Sequence, residues 1–495
     1  RQERSNRLPA MEENRFYPVD PVNPVKKFFC LTTSICQISA RSQIRTRSHL
    51  MQQPFKALGV FCATLTFVLS AFWPAQAAYR TTLQPSISVS EEYTDNVNLL
   101  PEEFEESEWI TVVSPSLALQ VQGKTQGLNL SYTPGFTYYA ENNEDSTIRH
   151  SASLDAWKQL TKHLDLNINN SYSKTEQPYS ADTLALSTEE EERFRERYAD
   201  YTRRQDREPH SSLTSHVSLG YQFGQKDSAD LGYRYRRHWE ETQDSEDSTE
   251  HSPYLNVSYW IAPHWGTEYS LEYTRGEFSG DTDTFDEWTG SVSLIRNLNR
   301  FWDAHVSYTH TIMDYHGETE DYQIYDPAAG LSWRFAPDGS VSLSLGYYIQ
   351  DNEETENDSD LSFSGDINKG FDLSQRTSFR ISGGSGYEQT YFGAENLGFT
   401  IYYQAQGRLT HALTRHLQSD VSVNFRRNEY QDEDPERDDN LWTFQSGLDW
   451  QFMERASLSL NYTYRISESS QDENDYDENK VMLSLTYSPK PYMFK

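Results

Sequence analysis

The sequence has 495 residues, with 43 lysines and arginines against 75 aspartates and glutamates, so its formal net charge at pH 7 is −32. This excess of negative charge argues against nucleic acid as a partner, because binding to phosphates depends on clustered positive charge. The three cysteines, Cys30, Cys36 and Cys62, precede the signal-peptide cleavage site identified below, which excludes a disulfide framework or a thiolate metal site from the mature chain.

The N-terminal region is predicted to lie outside the folded protein. Residues 1–50 show no recognisable pattern and begin with Arg rather than Met, so we interpret them as upstream, unstructured sequence. Residues 51–77 match a secretory signal peptide, with an apolar stretch from Ala57 to Phe72 and a small-residue cleavage site, Ala75-Gln-Ala77. A transmembrane anchor is the alternative, but the apolar run is shorter than the roughly 20 residues that a spanning helix needs. The folded domain is therefore predicted to cover residues 78–495.

Short polar turns recur along this domain at a nearly constant interval. They open at Gly123, Leu160, Gly224, Ala262, Asn297, Ala336, Asp372, Thr410 and Met453, mostly 35 to 43 residues apart, with one interval of 64. One long acidic loop lies within each interval, so each interval is predicted to hold two antiparallel strands. Minimal turns that alternate with long polar loops are typical of an outer-membrane β-barrel.

Between the turns, apolar and polar side chains alternate. Leu458 and Leu460, for example, alternate with Ser457 and Ser459. A period of two predicts strands whose two faces meet different solvents. Twenty such segments lie between Ser86 and Tyr487, although 18 would also fit the pattern. We therefore predict an all-β fold, a transmembrane up-and-down antiparallel β-barrel of about 20 strands, with both termini on the same side.

Aromatic residues lie near both ends of the predicted strands. Those beside short turns include Trp260, Trp265, Trp302, Trp333 and Trp450, and those beside long loops include Trp109, Trp239, Trp288 and Trp442. Two such girdles fit the two interfaces of a bilayer, whereas the alternative is a plain preference of aromatic residues for strands. A β-propeller also repeats about every 40 residues but needs four short strands in that span.

The long loops are strongly acidic, as in 351–358, 431–439 and 467–478. Runs of this composition cannot bury a core, and in bacterial barrels long loops face the outside while short turns face the periplasm. We interpret the loops as a solvated, repulsive fringe. Binding of divalent cations that bridge to lipopolysaccharide is the alternative, although no loop has the spacing of an EF-hand.

One loop, between Lys174 and His210, differs from the others. Thr188 and Glu191 have capping-box spacing and are followed by four-apart acidic and basic pairs, which predicts a short helix over 189–204. The helix either constricts the mouth of the barrel or belongs to a flexible surface loop.

The polar faces of the strands are expected to line the interior. The candidate lumen-lining residues are Arg234, Arg236, Glu268, Glu272, Arg380, Gln404, Arg408, Asp420, Arg426 and Asp449. They carry both signs of charge, and a barrel of this size is wide enough for a water-filled channel unless it is plugged. Because no nucleophile elbow, phosphate loop or zinc motif appears in the sequence, we predict a non-enzymatic protein without catalytic, cofactor or metal residues. A hydrolase built from a lumenal Ser, His and acid is the alternative.

Two stretches near the start of the barrel carry a family resemblance. Ser86–Leu99, with Tyr-Thr-Asp-Asn-Val, and Ile110–Leu117, with Val-Ser-Pro-Ser-Leu, resemble the porin-like outer-membrane β-barrel family found with bacterial exopolysaccharide and PEP-CTERM protein-sorting gene clusters. The resemblance implies an integral outer-membrane protein that helps an extracellular polysaccharide leave the cell, and it supplies no catalytic residues. The chain departs from it at Pro489–Lys495, which extends beyond the last predicted strand.

Three functions are compatible with these observations. The first is a channel or accessory barrel for exopolysaccharide export, the second a general diffusion porin for small solutes, and the third a non-conducting structural or adhesive barrel at the surface. The expected partners are outer-membrane lipid and lipopolysaccharide, together with an exopolysaccharide and its periplasmic export components under the first hypothesis.

Overall fold

A computed structural model of the chain describes residues 79–141, 146–177, 209–240, 247–280, 282–317, 319–337, 339–353, 357–392, 395–430, 437–471 and 474–494. The predicted upstream segment, the predicted signal peptide and the predicted helix at 189–204 lie outside these residues. Among the residues described, no helix has the length and apolar character needed to cross a membrane.

The described residues form twenty long strands and one short terminal strand. The strands are β1 (Arg80–Thr94), β2 (Glu108–Gln122), β3 (Gln126–Tyr139), β4 (Ile148–Thr161), β5 (Leu164–Thr175), β6 (His210–Gln222), β7 (Ser228–Glu240), β8 (Ser248–Ala262), β9 (Trp265–Phe278), β10 (Phe285–Asn297), β11 (Trp302–Tyr315), β12 (Tyr322–Ala336), β13 (Gly339–Asn352), β14 (Asp358–Ser374), β15 (Thr377–Phe392), β16 (Glu395–Ala412), β17 (Leu417–Tyr430), β18 (Arg437–Met453), β19 (Ala456–Ser469), β20 (Tyr476–Tyr487) and β21 (Tyr492–Phe494). A single 3-10 turn, Glu102–Phe104, interrupts the β1–β2 connection.

The strands close into a barrel. Each long strand pairs antiparallel with its sequence neighbours, and β20 returns to pair with β1 from Ile87–Tyr487 to Thr94–Lys480. Closure removes the two free edges that an open sheet would expose. The predicted up-and-down barrel of about 20 strands is therefore confirmed, and because the strand number is even, β1 begins and β20 ends at the same rim.

The two rims differ as the turn spacing predicted. The rim at which β1 begins carries nine tight connections, at 123–125, 162–163, 223–227, 263–264, 298–301, 337–338, 375–376, 413–416 and 454–455. We call it the short-turn rim and the opposite one the long-loop rim. One of the expected long loops, between β15 and β16, is instead short, because β15 ends at Phe392 and β16 begins at Glu395. Residues there such as Tyr391 and Phe399 favour strands over a solvated loop.

The polar face of the strands lies inside the barrel. In β7, exposed Leu231 and Tyr233 alternate with polar Arg234. Contacts on the polar face join strands two apart, as between Nε2 of His305 in β11 and Oγ of Ser344 in β13 at 2.8 Å. Side chains of next-nearest strands converge on a concave surface and diverge on a convex one, so we call the polar face the inner face. The apolar face is the outer one.

Most predicted girdle residues lie exposed on the outer face, with two exceptions. Trp109 and Trp288 at the long-loop side and Trp450 at the short-turn side are 49%, 48% and 49% exposed. Trp239 instead is buried and stacks on Tyr172 with ring centroids 6.1 Å apart. Trp260 lies on the inner face of β8, on the same side of the strand as Asn256 and Ser258.

The chain beyond β20 extends the barrel at the seam. Tyr492–Phe494 pairs antiparallel with Thr81–Leu83 of β1, and Nε2 of Gln84 donates to the carbonyl of Pro489 at 2.9 Å. The part of β1 that β20 does not reach is thus partnered by β21.

Candidate functional site

All ten candidate residues belong to the polar inner face. They fall on β7 (Arg234, Arg236), β9 (Glu268, Glu272), β15 (Arg380), β16 (Gln404, Arg408), β17 (Asp420, Arg426) and β18 (Asp449), in each strand alternating with the apolar outer residues. Seven of them make contacts with one another or with nearby polar groups, as described below. Their role in lining a conducting lumen stays a prediction.

On β7 to β9, arginines and carboxylates form ion pairs. Arg234 pairs with Glu272 two strands away, and Arg236 pairs with Glu250 of β8 at 2.7 Å. Both partners of the first pair are largely buried, with side chains 13% and 10% exposed. Buried opposite charges of this kind compensate each other's loss of water. The side chains of these pairs therefore lie along the inner wall on β7 to β9 and are held there by their partners.

A tyrosine links three strands beside these ion pairs. The Tyr254 hydroxyl donates to Oδ1 of Asp230 at 2.8 Å and is hydrogen-bonded to Nε2 of His216 at 2.7 Å. The guanidinium of Arg234 lies 5.1 Å from the centre of the Tyr254 ring. The residues around Arg234 therefore form one connected polar network on β6 to β9.

A second network lies on β16 and β17. The Arg426 side chain is buried, with its guanidinium 4.4 Å from the Tyr402 ring centre. Its Nε donates to Oδ1 of Asn428 at 2.7 Å, and its Nη1 to Oε1 of Gln404 at 3.4 Å. Arg426 therefore stabilises the inner wall and is not available to a solute.

The remaining candidates are more open. Arg408 and Asp420 are 3.8 Å apart, which is a loose ion pair, and the Arg408 side chain is 41% exposed. Glu268, Arg380 and Asp449 are exposed on the inner face.

Several inner-face ion pairs were not among the predicted residues, and two of them are described next. Arg149 of β4 binds Glu176, which follows β5, through Nε at 2.8 Å and Nη2 at 2.5 Å. The Tyr139 hydroxyl donates to the same carboxylate at 2.7 Å. The alternation in β4 would have placed Arg149 inside, but no local signal marks Glu176, because it lies beyond the strand and 27 residues away.

The pKa of Glu176 reflects this environment. Burial alone would raise the pKa, but the hydrogen bonds and positive charge of Arg149, with the hydroxyl of Tyr139, hold it below its ordinary value of 4.5. Glu176 is therefore ionised at neutral pH, and its charge is satisfied within the protein.

A second ion pair that the sequence did not predict lies where β20 pairs with β1 and closes the barrel. Glu478 of β20 accepts from Nη1 of Arg465 on β19 at 2.7 Å and from Oγ1 of Thr94 on β1 at 2.8 Å. Next to it, Asp95 accepts from the backbone N and from Nδ2 of Asn479 at 2.6 and 2.8 Å. The Tyr-Thr-Asp-Asn-Val stretch that carried the family resemblance is thus the segment that joins the first strand to the last.

The β1–β2 connection folds inward at the long-loop rim. Val97 is buried against Ile110, Val112 and Tyr139, which lie on the inner faces of β2 and β3, and Leu99 is buried as well. We call residues 95–107 the strap. It covers apolar inner-face residues that would otherwise face water in the mouth.

Asn96 anchors the strap. Its Nδ2 donates to the carbonyls of Leu100 and Asp477 at 2.6 and 2.9 Å, and its Oδ1 accepts from the backbone N of Leu100 at 2.9 Å. Leu99 takes the left-handed backbone conformation, with φ of 53°, to complete this tight fold. Burial and the neighbouring carboxylates of Asp477 and Asp95 raise the pKa of Glu105 on the strap above its ordinary value.

Aromatic rings on the inner face lie against glycines of the neighbouring strand. The directly opposed pairs are Gly127–Trp157, Gly232–Tyr254, Gly266–Trp260, Gly276–Phe285, Gly330–His305 and Gly386–Tyr402. A side chain at the glycine would occupy the space of the ring, so glycine lets the ring cover exposed backbone. The rings consequently lie along the wall and do not project across the interior.

Replacing Gly232 by Ala is expected to destabilise the barrel by about 1–3 kcal/mol, because the new Cβ would overlap the Tyr254 ring and displace it from Asp230. Urea unfolding in detergent micelles measures the change. Gly290→Ala on the outer face is the matched control, since the nearest atom to its Cβ would be Leu271 Cδ1 at 3.9 Å. Equal stability of the two variants would contradict the assigned role of Gly232.

An apolar cluster occupies the inner face of β10 to β13 near the long-loop rim. It comprises Phe285, Met313, Tyr315, Tyr322, Ile324 and Tyr348, all buried. Together with the strap and the ion pairs, it makes the long-loop half of the interior the more filled half. In the short-turn half, inner-face residues such as Gln122, Asn129, Asp155 and Asn169 stay exposed.

No group of three or more His, Cys, Asp or Glu side chains able to hold a metal ion occurs within the described residues.

The chain is similar to one family of barrel proteins and to several solved barrels. A family model described as "Putative beta-barrel porin 2" matches residues 80–208 and 388–488. Curated proteins gave no match. The structure of OpdK from Pseudomonas aeruginosa with vanillate is 10% identical with a TM-score of 0.37, over 82% of this chain and 99% of that chain. The FrpB iron transporter from Neisseria meningitidis is 9% identical with a TM-score of 0.48, over 82% of each chain. OccAB4 from Acinetobacter baumannii is 11% identical with a TM-score of 0.36, over 85% of this chain and all of that chain.

The closed barrel, its apolar outer face and the family match locate the protein in the bacterial outer membrane.

Proposed function

We propose that this porin-like barrel of the outer membrane is a channel for hydrophilic solutes. The observation that carries the proposal is the exposure of polar inner-face side chains in the short-turn half, where Gln122, Asn129 and Asp155 are in contact with solvent. Polar groups placed inside a closed wall while apolar groups cover the outside are what a water-filled pore requires.

The long-loop half supplies the selective part of this channel. There the strap, the apolar cluster and the arginine–carboxylate pairs narrow the interior with groups that are fixed by mutual contacts. Fixed charges of both signs admit polar solutes without trapping either cations or anions by a single field. The described residues thus support a restricted channel more than a wide, unobstructed one.

Exopolysaccharide export is the second candidate function. It comes from the resemblance of the first strands, and the family match carries no gene-cluster association with it. The amides and hydroxyls of the exposed inner face are compatible with a hydrated sugar chain, which they could hydrogen-bond without holding it tightly. The corresponding partners, an exopolysaccharide and periplasmic export components, belong to this candidate alone, whereas lipid and lipopolysaccharide contacts follow for any outer-membrane barrel.

Conductance in planar bilayers tests the channel, because a closed structural or adhesive barrel would give no discrete current steps. Reversing the exposed inner-face charges with Glu268→Lys and Asp449→Lys is expected to shift the ratio of cation to anion permeability about fivefold towards anions at low salt, because the two reversals together change the energy difference between a cation and an anion in the channel by about 1 kcal/mol. The reversal potential in a salt gradient measures this ratio.

The matched control for this test is Glu353→Lys, at an exposed position beyond β13 at the long-loop rim. An equal shift in the control would assign the effect to general surface charge. Deleting the gene separates the two transport candidates: normal polysaccharide secretion with reduced uptake of small solutes argues against export.

A further inference from the structure

Trp157 is an aromatic side chain on the inner face with an open surface. It lies directly opposite Gly127, and a Cβ at that glycine would be 2.5 Å from Nε1 of the indole, so the ring lies against the backbone of β3 at this glycine. The side chain is nevertheless 42% exposed. Part of the indole therefore rests on the wall while the rest of the ring remains accessible from the interior of the short-turn half.

A second inner-face tryptophan, Trp260, has a ring that is covered by another side chain. Trp260 also lies against a glycine, Gly266, at the same end of the barrel. The ammonium of Lys226, however, sits 3.8 Å from the centre of its ring, which satisfies the negative face of the indole. Trp157 has no such cation among the described residues.

Polar side chains surround Trp157 in two rows that run across four strands. The first row is Gln122, Gly127, Trp157 and Asn167, and the second, two residues further along each strand, is Gln120, Asn129, Asp155 and Asn169. All members of the second row are exposed, and Nδ2 of Asn169 donates to Oδ1 of Asp155 at 3.0 Å. At about 4.8 Å between strands, each row is about 14 Å long.

Within the described residues, the amides of Gln120, Gln122 and Asn129 bond to no protein group and are therefore available to a ligand. An amide offers both donors and an acceptor, which matches vicinal hydroxyl groups. An indole face is apolar and carries the negative side of the ring quadrupole, which matches the polarised C–H groups on one face of a pyranose ring.

From this combination we infer that the Trp157 wall, comprising Trp157, Gln120, Gln122, Asn129, Asp155 and Asn169, binds a neutral saccharide. The carboxylate of Asp155 next to the ring disfavours uronic acids and other anionic sugars. The inference rests on the proposed channel in one respect, namely that the ligand reaches the wall through the barrel interior. Because short turns face the periplasm in bacterial barrels, the ligand meets this wall in the periplasmic half.

Calorimetry on the full-length barrel in detergent micelles tests the inference without requiring conduction. Maltohexaose is expected to bind the wild type, and Trp157→Ala to weaken binding about tenfold, while Trp157→Phe retains most of it because a flat ring remains. Trp260→Ala is the matched control and leaves binding unchanged. Asn129→Ala provides a second variant on the wall, expected to weaken binding about threefold, in case Trp157→Ala does not fold.

Each outcome has one meaning. No binding of maltohexaose to the wild type, equal loss in Trp157→Ala and Trp260→Ala, or equal affinity for hexagalacturonate overturns the inference. Bilayer conductance of the same preparations tests the channel separately: a conducting barrel that ignores maltohexaose refutes only the saccharide site, and a barrel that binds maltohexaose without conducting refutes only the channel.

Discussion

Replacing Glu176 by Ala is expected to destabilise the barrel by about 3–5 kcal/mol, the largest effect of any single substitution proposed for this protein. The Glu176 side chain is 1% exposed and accepts from both Arg149 and the hydroxyl of Tyr139. Removing the carboxylate leaves a guanidinium that is only 17% exposed without its counter-charge on the wall. Urea unfolding of the protein in lipid vesicles, followed by tryptophan fluorescence, measures the change.

The same carboxylate makes stability depend on pH. Because the folded state holds the pKa of Glu176 below its ordinary value, this group contributes stability at neutral pH, and the contribution is lost as pH falls through the folded-state pKa. Glu176→Gln, which cannot ionise, should therefore unfold with less dependence on pH in the acidic range than the wild type.

The matched control is Glu141, an exposed acidic residue of the preceding long loop, between β3 and β4. Glu141→Ala should change the free energy of unfolding by no more than about 0.5 kcal/mol. If Glu176→Ala and Glu141→Ala changed the free energy of unfolding by the same small amount, the Arg149–Glu176 ion pair would not contribute to the stability of the barrel.

Removing the strap is expected to open the long-loop mouth and raise single-channel conductance. Replacing residues 98–105 by a short Gly-Ser link together with Val97→Gly removes the apolar side chains of the strap and keeps the backbone bond from the N of residue 97 to the carbonyl of Glu106, so the β1–β2 hairpin can still form. The apolar residues Ile110 and Val112 then lose their cover, and the space that the strap fills in the mouth becomes open. Planar bilayer recordings measure the conductance of both forms.

A chemical readout accompanies the conductance. Val112 is 8% exposed in the wild type. The thiol of Val112→Cys should react at least about tenfold faster with a membrane-impermeant reagent when the strap is removed than when it is present. Val113→Cys, on the outer face of the same strand, serves as the control and should not change. Unaltered conductance together with unaltered labelling at position 112 would show that the strap is not what closes this part of the mouth.

The interior is therefore organised in two halves that serve different needs. Near the long-loop rim, the seam contacts of Glu478, the Arg149–Glu176 pair and the network of Arg426 use charge to hold the wall together. Near the short-turn rim, the inner face is left to exposed amides and Trp157. The contacts that hold the wall together and the polar groups that stay exposed therefore lie at different heights of one barrel.

The sequence by itself determined the barrel. The alternation of apolar and polar residues, the nine short turns and the even strand count are local properties, because a period of two and a tight turn each involve only a few adjacent residues. The same alternation assigned all ten candidate residues, including Arg234 and Arg426, to the inner face.

Only the tertiary structure decided how that inner face is used. Glu176 meets Arg149, and Thr94 meets Glu478 across 384 residues, because closure and register bring together strands that are distant in the chain. Curvature brings Arg234 to Glu272 across an intervening strand. Strand register places Trp157 and Trp260 each against a glycine, and Lys226 covers the ring of Trp260. The inward fold of the strap likewise depends on Asn96 reaching Asp477. These contacts follow from the pairing of whole strands, and no local pattern in the sequence encodes them.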